Sequence, residues 1–251
     1  MRFFILTTCL AAAACVGDTP VLTNGIDASS NDASPKDGAA NDVVSPGDAS
    51  SDACTQTCLG DAGPICTNLD TDPLNCGGCA VKCPNSRCTG GKCDRIIFVT
   101  AQNQYPGNFG GINVLDNECH KSATAAKLPG TFKAWASTST ASADSRISHS
   151  TLPYVLVDGT KVADNYAGLL APPLQHAIDR TEMNTVLTVN DADVWTGTFV
   201  SGLTATTNCG DWQDGTLTGT VGLAISNSNL WTTNTSKACG VTVAHLYCLQ
   251  Q

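Results

Sequence analysis

Fourteen cysteines in 251 residues constrain this chain more than any other feature, because thiols in such number persist where they can be oxidised to disulfides. Eight fall within 54–93, at Cys54, Cys58, Cys66, Cys76, Cys79, Cys83, Cys88 and Cys93, and four follow, at Cys119, Cys209, Cys239 and Cys248. Two even sets predict two disulfide regions, with four bridges in the first and two in the second. The last four cysteines allow three connectivities. Cys119 lies on a helical pattern, whereas Cys209 and Cys239 bracket a Gly-rich segment before the last strand, which favours Cys119 to Cys248 enclosing Cys209 to Cys239. In the first set Cys76-x-x-Cys79 has metal-ligand spacing, and Cys83 and Cys88 could complete a zinc tetrahedron. Thiolates outside the cytosol oxidise, so disulfides are favoured and no metal or cofactor is expected.

The chain begins Met-Arg, continues with the apolar run Phe3-Phe4-Ile5-Leu6, and reaches four alanines before Cys15. This is the pattern of an export signal over 1–15. Ala12-Ala13-Ala14-Cys15 resembles a bacterial lipobox, which implies lipidation of Cys15 and tethering at the outer membrane or cell surface. Residues 16–53 carry seven Asp, one Lys and no aromatic, too little apolar surface to offset the entropy of ordering. They are expected to form a disordered acidic linker with a reach of roughly 35 Å as a flexible coil. The formal net charge of -9 and pI near 4.6 repel phosphate backbones and anionic lipid, so nucleic-acid binding is discounted. Contact with membrane is expected only through the lipid.

The segment 54–93 is rich in glycine, poor in apolar side chains and expected to be a disulfide module. After it the grammar changes. Arg95-Ile96-Ile97-Phe98-Val99-Thr100 predicts a first strand. Leu115, Cys119, Ala123 and Ala126 recur at helical spacing until Pro129-Gly130. Phe132 to Ala136 predicts a strand, Asp158-Gly159 a two-residue hairpin turn, and Asn165 to Leu170 a short helix. The segment from Val241 to Cys248 alternates as a half-buried strand should. Between them the last third, rich in Gly, Thr and Asn, predicts long irregular loops that need cross-links.

Several stretches carry a resemblance: Gly130-Thr131-Phe132-Lys133-Ala134-Trp135, Val194-Trp195-Thr196-Gly197-Thr198, Asn208-Cys209-Gly210-Asp211-Trp212 and His245-Leu246-Tyr247-Cys248. They resemble the endostatin branch of the C-type lectin-like fold, and the whole is similar to an uncharacterised bacterial lipoprotein family that carries such a domain. The resemblance implies an α+β, C-type lectin-like domain over 94–251, with its first strand paired to its last.

No nucleophile elbow, phosphate loop or zincin helix is present, and the four histidines are scattered. Asn190-Asp191-Ala192-Asp193 is the best cluster of oxygen donors, so Asp191 and Asp193 are candidate cation or ligand contacts, or parts of a turn. The Glu-Pro-Asn, Gln-Pro-Asp and Trp-Asn-Asp tripeptides of sugar-binding C-type lectins do not occur. Trp135, Trp195 and Trp212 are expected in the core, and Trp231, among polar neighbours, is a candidate ligand contact. These features favour a monomeric, non-catalytic binding or adhesion module for a protein or glycan. An exported hydrolase on the same scaffold is the alternative, and would need a convergent carboxylate or histidine pair.

Overall fold

The computed structural model describes residues 56–60, 63–83, 87–103 and 105–251. The lipidation candidate Cys15, the linker 16–53 and Cys54 lie outside them. The described chain is of mixed α+β class, mostly sheet with few helices.

The Cys-rich segment holds two small hairpins. In the first, β1 (Gln56–Gly60) pairs with β2 (Gly63–Thr67). In the second, β3 (Cys88–Thr89) and β4 (Lys92–Cys93) are joined by Gly90 and Gly91 at φ 56° and 70°, the left-handed pair that a tight hairpin turn demands. Bridges Cys58–Cys79, Cys76–Cys88 and Cys83–Cys93 tie the segment together, and Cys66 is also disulfide-bonded. Cys58, Cys76 and Cys83 are buried, while Leu59, Ile65, Leu74 and Val81 are exposed, so sulfur replaces an aliphatic core. The sulfurs of Cys76, Cys83 and Cys93 lie within 4.8 Å of one another. Each belongs to a bridge, however, so the zinc alternative has no thiolates to use. Asp72 and Asn75 accept from the Leu74 and Ala80 amides as turn residues do.

The segment joins the following strand through Asp94, whose buried carboxylate accepts from Arg87 Nε at 3.0 Å. The same guanidinium reaches the Gly159 carbonyl. Downstream come β5 (Arg95–Val99), β6 (Tyr105–Pro106), α1 (Ile112–Ala125), β7 (Phe132–Ala134), α2 (Ala143–Arg146), β8 (Tyr154–Val155), β9 (Lys161–Ala163), α3 (Tyr166–Leu169), β10 (Asp193–Trp195), β11 (Thr218–Leu223), β12 (Thr235–Ala238) and β13 (Val243–Gln250).

The terminal strand is the axis of the domain. The main path of the sheet runs β12-β11-β10-β13-β5-β8-β9, and β6 and β7 also pair with β13. Its pairing with β5 is antiparallel, Tyr247 opposite Val99 and Leu249 opposite Ile97. The expectation of a half-buried strand is corrected, because Ala244 to Leu249 are all fully buried. Period two still holds, but both faces are apolar. Ala244, Leu246 and Cys248 join Ile96, Phe98, Leu115 and Trp195 in one core; Tyr247 and Leu249 join Ile97, Val99, Trp135 and Trp231 in the other.

Helix α1 buries Leu115, Cys119 and Ala123, one face at successive i,i+4 steps. From that face Cys119 bridges to Cys248, and Cys209 bridges to Cys239 within the loop so closed. The expectation of irregular loops across the last third is also corrected. β10 pairs with β11, and β11 with β12, in an antiparallel ribbon stitched to β13 through Val194 opposite His245. Glycine permits this close packing: a Cβ on Gly222 would stand 2.0 Å from the Trp231 carbonyl oxygen.

Candidate functional site

The most unusual backbone in the domain is a left-handed turn. Cys209, Gly210, Asp211 and Trp212 all have φ between 56° and 66°. Each non-glycine residue there costs roughly 1–2 kcal/mol relative to ordinary backbone, and such strain persists only where the surroundings over-determine it. Here they do. The Cys239 bridge fixes Cys209. Trp212 is fully buried, donates from Nε1 to the Ser137 carbonyl at 2.9 Å, and lies edge-on to Trp195 and Phe109. Asp211 accepts from Ser139 N at 2.6 Å, Ser139 Oγ at 2.7 Å and Asn208 Nδ2 at 2.9 Å. Partial burial pushes its carboxyl upward, but these hydrogen bonds outweigh that effect and leave it below the usual carboxylate range.

The turn forms one wall of a cleft of about 400 Å³. Opposite it stand Gly110, Gly111 and the start of α1, which has no side-chain cap; the amides of Gly110 and Gly111 donate to the Trp212 carbonyl. Thr138, Thr140, Asn113 and Gln213 add hydroxyls and amides to the lining. Arg146 lies at the back, but its guanidinium is committed to Asp116 at 2.6 Å and to the Ala134 and Ala136 carbonyls. It braces α1 against β7 and is not a free hook for anions. The cleft therefore offers mostly hydroxyl and amide donors and acceptors, beside an Asp211 carboxylate already hydrogen-bonded to Ser139 and Asn208.

A second cleft, of about 380 Å³, lies beside β10 and contains the predicted Asp191 and Asp193. The structure brings these two residues close but gives them different partners. Asp193 forms an ion pair with Lys237. Asp191 accepts from Asn103 Nδ2 at 2.5 Å and lies 3.1 Å from Nε2 of the buried His245. The Asn103 hydrogen bond chiefly holds the Asp191 carboxyl below its ordinary range; partial desolvation opposes this and His245 assists it.

Trp231 is placed elsewhere. Its ring is fully buried, 5.1 Å from that of Trp135 and 5.5 Å from that of Tyr247. The expectation of a ligand contact is corrected: a 3₁₀ turn at Asn229–Trp231 aims the indole inward while its neighbours Asn229 and Leu230 stay exposed.

Sequence reasoning missed the histidine–aspartate contacts. His149 stacks on Tyr166 with centroids 3.9 Å apart and lies 3.2 Å from Asp144, and His245 meets Asp191 across 54 positions of sequence. Only the first was near enough in sequence to be suspected. No helix among the described residues is long and apolar enough to cross a membrane. No family model matches the chain, and a search of curated proteins finds no match.

Proposed function

We propose that this chain is an exported, lipid-tethered binding module whose C-terminal domain is C-type lectin-like, of the endostatin branch, and takes a glycan in the cleft beside the left-handed turn. The observation that carries the reading is that turn: three non-glycine residues held in left-handed backbone, cross-linked and hydrogen-bonded, beside a cleft. Strain fixed on such a scaffold keeps a surface in one shape before the ligand arrives, which lowers the entropic cost of binding. The volume lies within the range of small-ligand sites, and the hydroxyls and amides of its lining, with the Asp211 carboxylate as a further acceptor, match the hydroxyl groups of a sugar. The pairing of first strand with last, together with the nested bridges, supports the fold.

The residues also define what this module does not do. Between 94 and 251 there are eight Lys and Arg against twelve Asp and Glu, a net of -4, so a sulfated polysaccharide meets repulsion. On a glycan array we expect binding that survives chelator and falls at least tenfold in Asn113→Ala and Thr140→Val, two changes at the cleft wall. Heparin resin should not retain the protein. Salt-sensitive heparin retention, sugar capture abolished by chelator, or array binding unaffected by both substitutions would defeat this reading.

Tethering has its own test. Radiolabelled palmitate should enter the wild-type chain and not Cys15→Ser, which should leave the membrane fraction. Equal labelling of the two would remove the anchor from the proposal.

A further inference from the structure

We propose that the glycan taken by this chain is an oligosaccharide of at least two linked sugars, whose second unit lies in the groove between α1 and β7. The inference rests on the glycan reading of the cleft beside the left-handed turn, and extends that site along the helix.

Helix α1 buries Leu115, Cys119 and Ala123. Asn113, Asp116, Asn117 and His120, at i, i+3, i+4 and i+7, therefore lie on a different side, where successive turns stack side chains in a row. Asn113, Asn117 and His120 are exposed, and their side chains have no hydrogen-bond partner among the described residues. From first to last the row extends about 10 Å along the helix axis, further than a single pyranose ring reaches.

This row meets Thr131, Phe132 and Lys133 across a groove of about 300 Å³. The groove is continuous with the cleft, because Asn113 lines both. The ion pair between Arg146 and Asp116 marks the threshold: Arg146 lines the cleft, Asp116 lines the groove, and the two meet at 2.6 Å. Beyond it the amides of Asn113 and Asn117, the His120 imidazole and the Thr131 hydroxyl suit sugar hydroxyls, and Phe132 adds an apolar wall for the carbon face of a ring. Lys133 is tied by its Nζ to the Arg146 carbonyl at 2.9 Å, which holds that wall in place. A second sugar tethered to one already in the cleft is delivered to this groove, so its contacts add without a second loss of translational freedom.

The test is NMR titration of the isotope-labelled, full-length oxidised chain with glucose, mannose, galactose and N-acetylglucosamine and with their homo-oligomers of two to four units. In at least one series we expect affinity to rise at least tenfold from one unit to two, and the Asn117 and His120 amide resonances to move with two units but not with one. In the double variant Asn117→Ala, His120→Ala the two-unit affinity should fall to within twofold of the wild-type one-unit value. Both residues are exposed and alanine favours the helix, so this variant should fold. Equal affinity for one and two units in the wild type, or a gain retained in the double variant, would overturn the groove and leave the cleft standing. Failure of every sugar to bind, single units included, would take down the cleft reading together with this one.

Discussion

Replacing Cys119 and Cys248 together by alanine is expected to destabilise the domain by about 5 kcal/mol, against about 3.6 kcal/mol for Cys209 and Cys239. The sequence separations are 129 and 30 residues, and in the chain-entropy description the cost of closing a loop grows with the logarithm of its length. The two losses differ in kind as well as size. Cys119 and Cys248 join α1 to the central strand and are both fully buried, so their removal loosens the contact around which one of the two cores is built. The inner bridge instead holds the left-handed turn. When it is cut, the turn can relax from its strained backbone, which returns part of the lost stability but dissolves the wall of the glycan cleft. Urea denaturation at 25 °C should therefore rank the outer pair as costlier, whereas array binding should vanish in the inner-pair variant while most of the fold remains. The reverse ranking, or full glycan binding without the inner bridge, would contradict this division of labour.

The parts of the fold legible in the sequence are those set by near neighbours. The β-branched run of β5 and the buried face of α1 each obey a local rule, and the structure places a strand and a helix there. The Asp158-Gly159 hairpin is present, but its loop is the three residues 157–159, closed by the Leu156 amide on the Thr160 carbonyl, and not the expected two-residue turn. Asn165 caps α3 by accepting from the Gly168 amide, as a side chain at that position should. The central strand was legible as a strand but not as the axis, because periodicity shows that side chains alternate and not that both sides are covered. β11, Thr-Gly-Thr-Val-Gly-Leu, has little intrinsic preference for a strand; Gly222 is there because another backbone approaches, a contact invisible from its own neighbours. The left-handed turn was hidden for a related reason. Only Gly210 of its four residues favours that conformation, and the rest are held by Ser139, Cys239 and the packing of Trp212. His245 and Asp191 meet only because β10 lies parallel to β13.

Trp231 is where local sequence misled most, and where a substitution should show it. Asn229, Thr232, Thr233 and Asn234 surround it in sequence and suggest a surface position, yet Thr232 is also buried and accepts from Trp135 Nε1 at 2.8 Å. The indole stands between Trp135 and Tyr247, and Gly222 passes beneath its carbonyl. Truncation therefore opens a cavity in a core that the disulfides prevent from collapsing freely, and buried Trp→Ala changes cost roughly 3–5 kcal/mol. At roughly 2–4 °C per kcal/mol for a domain of this size, the melting temperature of Trp231→Ala should fall by about 10 °C or more. Trp231→Phe keeps an aromatic ring against Trp135 and should lose less than half as much. Glycan binding by the folded fraction, measured well below the transition, should match wild type, since the indole does not line the cleft. Lost binding at unchanged melting temperature would return Trp231 to the ligand and take it out of the core.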